Sequence, residues 1–138
     1  MPFFDWDESL SIGIDLIDEQ HKMLIDKINA ISEAVENKRG LEKILQTLDF
    51  MIDYTEFHFS AEEKIMKENE YPKLAEHHKL HEGFKERLSL MVRDFEEEGA
   101  TAGLSEEITA YLKNWLINHI KGTDAQLGKM LQDKGFKG

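Results

Sequence analysis

Histidine is concentrated in one stretch of the sequence, KLAEHHKLHEGF at 73–84, which holds three of the chain's six histidines. His77 and His81 are four residues apart, so on a helix they lie on one face, which is also the apolar face. His78 is turned away from that face by about 100°, because a helix has 3.6 residues per turn. The spacing therefore predicts two imidazoles that point together into a core and a third in solvent.

Three other helical segments place polar residues on apolar faces in the same way. His58 and Glu62 are four apart, His21 lies one turn before an apolar stripe, and His119 lies one turn after one. A single inward histidine is more often a hydrogen-bonded core residue than a ligand. Five buried imidazoles and a carboxylate would instead leave several unsatisfied groups, each costing roughly 1–3 kcal/mol. A bound cation removes that cost, so the pattern predicts a metal site.

The donor set limits which metal fits. The chain has no cysteine, which excludes thiolate zinc sites and iron–sulfur clusters. Five imidazoles and a carboxylate are too many for one tetrahedral zinc, whereas nitrogen and oxygen donors suit iron or manganese in a higher-coordinate, dinuclear site. Two nearby cations need bridging anions, and Glu62 can supply one.

Asp124 is the expected second bridge. It follows His119 by five residues, which on a continuous helix would rotate it about 140° away. A break in the helix at Gly122 and Thr123 would return it to the metals. The alternative interpretation makes Asp124 a first-turn carboxylate stabilised by the helix dipole.

Periodic apolar stripes predict the elements that position these residues. Helices are expected at about 18–38, 41–69, 72–98 and 104–121, with a short fifth at about 124–134. Gly40 is the predicted stop of the first, Pro72 lies near the first turn of the third, and Ser105 is the predicted cap of the fourth. The fold predicted is all-α: an up-down four-helix bundle with an extended N-terminal arm and a short C-terminal helix, in a single domain spanning 1–138. The arm residues expected over the bundle are Phe3, Phe4, Trp6, Ile12 and Ile14.

Composition excludes several classes of partner. The 138 residues are 41% hydrophobic and 33% charged, with a formal net charge of −11, which argues against binding to nucleic acid or to an anionic membrane. There is no apolar run near the roughly 20 residues that span a bilayer, so no membrane insertion is expected. The N-terminus shows no signal-peptide pattern, and we therefore expect a cytoplasmic protein.

Four motifs together resemble a known family. They are DEQH at 18–21, HFSAEE at 58–63, HHKLH at 77–81 and WLINHIKGTD at 115–124. Each is weakly specific alone, but their order and joint spacing closely resemble hemerythrin in its bacterial form. The resemblance covers nearly the whole chain, including the arm DWDESLSIGIDLIDEQH.

The resemblance implies reversible O2 binding at a non-haem centre of two Fe ions with an oxo or hydroxo bridge. The implied ligands are His77, His81 and His119 for one iron, His21 and His58 for the other, and Glu62 and Asp124 as bridges. The iron with two histidines would keep an open position for O2. Trp115 and Leu116 would form the apolar O2 pocket that excludes water.

Several functions remain open from the sequence. The leading prediction is O2 carriage, storage or sensing without enzymatic turnover. A di-iron enzyme with peroxidase-like or nitric oxide and peroxide detoxifying activity is the alternative, and an iron-storage or plain structural bundle is a third. Domains of this family also occur attached to signalling proteins, so the resemblance leaves such a partner open.

Overall fold

A computed structural model describes residues 4–37, 41–99 and 101–135. The helices are α1 (Asp15–Glu36), α2 (Leu41–Glu68), α3 (Leu74–Glu98), α4 (Ala102–Asn118) and α5 (Ala125–Asp133), with a π-helical turn (His119–Asp124) between the last two. α1 packs against α2 and α4, and α3 packs against α2 and α4. The predicted four-helix bundle with a short C-terminal helix is confirmed, and no strand occurs in the described part of the chain.

The apolar stripes meet in one continuous core. Its fully buried side chains come from every long helix and include Ile28, Leu48, Leu88 and Leu112. Burial of such a face, more than helix propensity, is what stabilises helices of this length. None of the described helices is long and apolar enough to cross a membrane.

The N-terminal arm packs against the bundle, as predicted. Phe4 is buried, its amide donates to Asn29 Oδ1 (2.8 Å), and Asn29 Nδ2 donates back to the Phe4 carbonyl (2.7 Å). Ile12 and Ile14 are buried and Trp6 is half-buried. The arm is not wholly extended, because Glu8–Leu10 forms one 3-10 turn. Phe3 lies outside the described residues, as does Gly40, the predicted stop of α1.

Two predicted helix starts are wrong, for local reasons. α1 begins at Asp15 and not near Asp18, since the Asp18 amide already donates to the Ile14 carbonyl and closes a first turn. The Asp18 carboxylate instead accepts from the arm at the Ile12 amide (2.9 Å). Ser105 is not the cap of α4. Thr101, in extended backbone, accepts from the Leu104 amide and caps the helix, which begins at Ala102 and not near Leu104.

Gly128 is where the arm touches α5. A β-carbon at this position would lie 2.3 Å from the Ile12 carbonyl oxygen, which is far inside van der Waals contact. We expect Gly128→Ala to push the arm off α5 and to lower the free energy of unfolding by about 1–3 kcal/mol, the usual cost of overpacking. Urea denaturation measures the change.

Gly83→Ala is the matched control, because apart from its own helical turn nothing lies within 4 Å of its added β-carbon. Gly83 lies within α3, where alanine is the better helix former, so this variant should be as stable as the parent or more so. Equal effects of the two substitutions would contradict the close approach of arm and α5.

Candidate metal centre

Seven buried side chains converge at the centre of the bundle. They come from α1, α2, α3 and the π turn that follows α4, and their members are His21, His58, Glu62, His77, His81, His119 and Asp124. They form two overlapping groups whose ligand atoms lie within 4.8 Å of one another. The two carboxylates belong to both groups. The structure thus brings together every residue that the sequence analysis selected as a metal ligand.

One group contains three imidazoles. The Nε2 atom of His119 lies 3.1 Å from that of His77 and 3.2 Å from that of His81. Imidazole nitrogens this close, each buried, are arranged around one small volume. The other group contains two imidazoles, His21 and His58, whose ring centroids are 4.8 Å apart.

Each carboxylate has one oxygen toward each group of imidazoles. Oε1 of Glu62 lies 2.7 Å from His77 Nε2, and Oε2 lies 3.4 Å from His58 Nε2. Oδ1 of Asp124 lies 3.1 Å from His119 Nε2, and Oδ2 lies 3.0 Å from His21 Nε2. This division of oxygens is the arrangement that two bridging carboxylates require.

The π turn is what brings Asp124 to the site. The predicted break at Gly122 and Thr123 does not occur, because the helix stays continuous and widens. The Ala125 amide donates to the Ile120 carbonyl, five residues earlier, and a turn of this width places residues five apart on the same face. His119 and Asp124 therefore point into the site together. Single π turns of this kind are frequent at functional sites.

The carboxylate oxygens show why a cation fits. All four oxygens of Glu62 and Asp124 are buried, and the polar atoms that approach them are imidazole nitrogens of the same cluster, such as Nε2 of His21 at 3.0 Å from Asp124 Oδ2. Without protons or a cation to bind, such atoms would cost roughly 1–3 kcal/mol each, and more when they are charged. Two cations between the carboxylates would accept these lone pairs. The donors are imidazole nitrogen and carboxylate oxygen, a set suited to iron.

The electrostatics of the site favour ionised carboxylates. Burial alone would raise the pKa of Asp124, but the adjacent imidazoles, that of His119 first, hold this pKa well below its usual value. Burial also opposes a charge on His77, yet Asp124 and Glu62 raise its pKa to about 9. Burial lowers the pKa of His58 to about 4. Without metal, protons on some of these imidazoles compensate the two carboxylates, and a metal would replace those protons.

Two outer residues that the sequence analysis missed hold the imidazole rings. Gln20 Oε1 lies 2.7 Å from Nδ1 of His58, and Glu63 Oε2 lies 2.7 Å from Nδ1 of His81. A signal for both was present in the sequence. Gln20 is four residues before buried Leu24, and Glu63 is four residues after buried Phe59, so each is a polar residue on an apolar stripe.

Aromatic rings cover the three-histidine group. Phe59 stacks on His81 with ring centroids 3.7 Å apart, and Trp115 stacks on His119 at 4.3 Å. Trp115 is half-buried and Leu116 is buried. Trp115 therefore lies against the three-histidine side of the site.

His78 lies at the surface, as its helical position predicted, with 49% of its side chain exposed. It contacts Glu63 at 2.6 Å and Glu82 at 3.6 Å. It is absent from both groups of candidate metal ligands.

Comparison with known proteins agrees with this site. The family model for the hemerythrin HHE cation-binding domain matches residues 12–131. A bacteriohemerythrin of Stenotrophomonas maltophilia (strain R551-3) is 36% identical over 124 residues, covering 90% of this chain and 78% of that protein. A myohemerythrin of Theromyzon tessulatum is 36% identical over 121 residues, 88% of each chain.

Solved structures give the same result. A crystal structure of wild-type hemerythrin superposes with a TM-score of 0.84 at 25% identity, covering 94% of this chain and 98% of that one. The chain belongs to the hemerythrin family. As a member of that family it binds O2 at a centre of two iron ions, and the cluster described above is the group of buried donors able to hold them.

Proposed function

We propose that this chain binds O2 reversibly, for carriage, storage or sensing, and does not turn it over as an enzyme. In this proposal one iron is held by the three-histidine group and the other by the two-histidine group. When bound, the iron pair supplies the electrons for reversible O2 binding. The specific ligands proposed are His77, His81 and His119 on one side, His21 and His58 on the other, and Glu62 and Asp124 as bridges.

The division of the carboxylate oxygens supports this proposal most directly. Glu62 has one oxygen near His77 and the other near His58, so its charge is shared between two positions. The position near His58 has one imidazole fewer than the position near His77. The same protein donors therefore leave the two-histidine position with room for an external ligand, and O2 is the ligand of this family.

Binding is favoured over catalysis by the surroundings of the site. General acid–base catalysis needs an ionisable group placed at the reacting atoms. Among the described residues, the ionisable side chains nearest the site besides the proposed ligands include Glu63 and Tyr71, whose ring centroid lies 6.4 Å from that of His77. Glu63 is already engaged by both His81 and His78. Both Glu63 and Tyr71 lie at the three-histidine group, beside His81 and His77, so neither is placed at the two-histidine position to serve a peroxidase-like or detoxifying reaction there.

A visible absorption spectrum tests the proposal. Iron-loaded, reduced protein would be cycled between anaerobic buffer and air, with iron content measured on the same sample. A charge-transfer band that appears with O2 and disappears on its removal, at two irons per chain, is the expected result. Irreversible decay to a ferric form within one cycle would contradict reversible binding and would favour the enzymatic alternative.

Leu116 provides a test of the proposed O2 pocket. It is buried, with 4% of its surface exposed, on α4, one turn before Ile120 of the π turn that begins with His119. Leu116→Ala should open a cavity that admits water and should raise the autoxidation rate of the oxygenated protein. The same cavity should lower the free energy of unfolding by about 2–5 kcal/mol. Stopped-flow absorbance and urea denaturation measure the two effects.

Leu90→Ala is the control, because Leu90 is 43% exposed on α3 and is expected to change neither quantity appreciably. Loss of stability in Leu116→Ala without faster autoxidation would remove Leu116 from the pocket. A cytoplasmic location stays a prediction of the sequence, and attachment to a signalling protein stays open, as the resemblance left it.

A further inference from the structure

The two residues that contact the Nδ1 atoms of proposed ligand imidazoles differ in charge. His58, in the two-histidine group, has a neutral amide oxygen of Gln20 at its Nδ1 atom. His81, in the three-histidine group, has a carboxylate oxygen of Glu63 at the equivalent atom. Both distances are 2.7 Å. The distance from Nδ1 to its oxygen partner is therefore the same for both imidazoles, but the partner of His58 is neutral and the partner of His81 is negatively charged.

Both contacts fix the tautomer of the imidazole. An oxygen acceptor at Nδ1 requires the proton on Nδ1 and leaves the Nε2 lone pair free to bind a metal. In each ring Nε2 faces Glu62, at 3.4 Å for His58 and 3.2 Å for His81. Gln20 and Glu63 thus orient their imidazoles toward the same bridging carboxylate.

The charge difference has an electronic consequence. A carboxylate that accepts from Nδ1–H makes the imidazole a stronger donor, whereas an amide does so much less. Glu63 also adds a negative charge close to the three-histidine position, and only 23% of its side chain is exposed. Negative charge near a metal stabilises its higher oxidation state.

We propose that Glu63 and Gln20 are positioning residues that make the two iron positions electronically unequal. Glu63 favours oxidation at the three-histidine position, and Gln20 leaves the two-histidine position less electron-rich. The inference rests on the proposed function, since it assumes an iron at each position. Beyond that function, it assigns the difference in redox potential between the two iron positions to Glu63 and Gln20.

A surface histidine also holds the Glu63 carboxylate in place. Its second carboxylate oxygen lies 2.6 Å from Nδ1 of His78, which is exposed. The carboxylate is therefore held by two imidazoles, one buried and one at the surface. This contact keeps Glu63 in place at His81 without any further charge inside the bundle.

Two near-isosteric substitutions with opposite charge changes test the proposal. Glu63→Gln keeps an oxygen acceptor at His81 and removes the negative charge. Gln20→Glu keeps the acceptor at His58 and adds one. The midpoint potential of the iron-loaded protein would be measured by spectroelectrochemical titration under anaerobic conditions.

Glu63→Gln should raise the potential, so that the ratio of reduced to oxidised iron at a fixed electrode potential rises about tenfold, equivalent to 59 mV for a one-electron couple. Gln20→Glu should lower it by a similar factor. Glu82→Gln is the matched control. It removes the same charge from the same surface, and Glu82 pairs with Lys85 at 2.9 Å and with His78 at 3.6 Å, but not with His81. It should shift the ratio less than twofold.

Opposite shifts of the two variants, each larger than that of the control, support the proposal. Shifts of the two variants in the same direction would overturn it, because the effect would then not depend on the sign of the charge. A Glu63→Gln shift no larger than that of Glu82→Gln would also overturn it. If Glu63→Gln does not retain iron, the sign of the Gln20→Glu shift decides. Iron content and O2 cycling of the parent protein are recorded separately, so a failure of reversible O2 binding is distinguished from a failure of this inference.

Discussion

Glu62→Gln is expected to remove both irons and not one. Glu62 belongs to both groups of candidate ligands, with Oε1 at 2.7 Å from His77 Nε2 and Oε2 at 3.4 Å from His58 Nε2. The amide keeps the shape of the side chain but lacks the negative charge and the second lone-pair-bearing oxygen that a bridge needs. Residues that only support ligands typically change metal affinity by about 10–100-fold, so loss of this shared ligand should exceed roughly 100-fold. Metal analysis after gel filtration measures it.

The metal-free Glu62→Gln protein should nevertheless fold. The substitution removes a buried carboxylate that lies 2.7 Å from His77 Nε2 and helps to raise the pKa of that imidazole, so unfolding in urea near neutral pH should show a free energy below that of the metal-free parent. Glu68→Gln, at an exposed position on the same helix, is the control and should retain two irons. Retention of one iron by Glu62→Gln would show that the two positions do not share this residue.

The stability of the metal-free protein should pass through a maximum near pH 6.5. The pKa of His77 is raised to about 9 by Asp124 and Glu62 against the effect of burial, so its contribution is fully present below pH 6.5 and is lost as the pH rises through about 9. The pKa of His58 is lowered to about 4 by burial. Between pH 6.5 and 4 the unfolded chain binds the proton more readily, so stability falls as the pH falls.

Each effect amounts to about 3 kcal/mol across its window, at roughly 1.4 kcal/mol per pKa unit. Asp124 and Glu62, with lowered pKa values, add a further loss in stronger acid. Urea denaturation at about pH 5, 6.5 and 9 measures the profile. Iron should abolish the alkaline loss, because a metal takes the place of the proton on His77. A metal-free stability that rises steadily across this range would contradict the electrostatics of the site.

The helical periodicity of the sequence predicted which imidazoles meet, because residues four apart on an apolar stripe must enter the same core. This reasoning selected His77 and His81 and assigned His78 to the surface, and the structure agrees. It also selected Asp124 as a carboxylate of the site. The reason given for Asp124 was wrong, since a π turn and not a helix break brings it inward.

The remaining errors come from interactions that periodicity does not contain. The start of α4 depends on Thr101, whose extended backbone and side chain cap the helix. The amphipathic pattern placed the start near Leu104 and suggested Ser105 as the cap, because periodicity alone does not report backbone conformation. The roles of Gln20 and Glu63 depend on the direction of the imidazole Nδ1 atoms across helix interfaces. Each is adjacent in sequence to a proposed ligand, but only the packing of α1, α2 and α3 shows which ring it reaches.

An anomalous-difference map of iron-loaded crystals, collected at the iron edge, is the most direct test of a di-iron centre bridged by Glu62 and Asp124. The expected result is two peaks about 3–4 Å apart, as in other two-metal sites. One should lie among His77, His81 and His119, and the other beside His21 and His58, with both carboxylates between them. A single peak, or two peaks that do not share the carboxylates, would contradict the account.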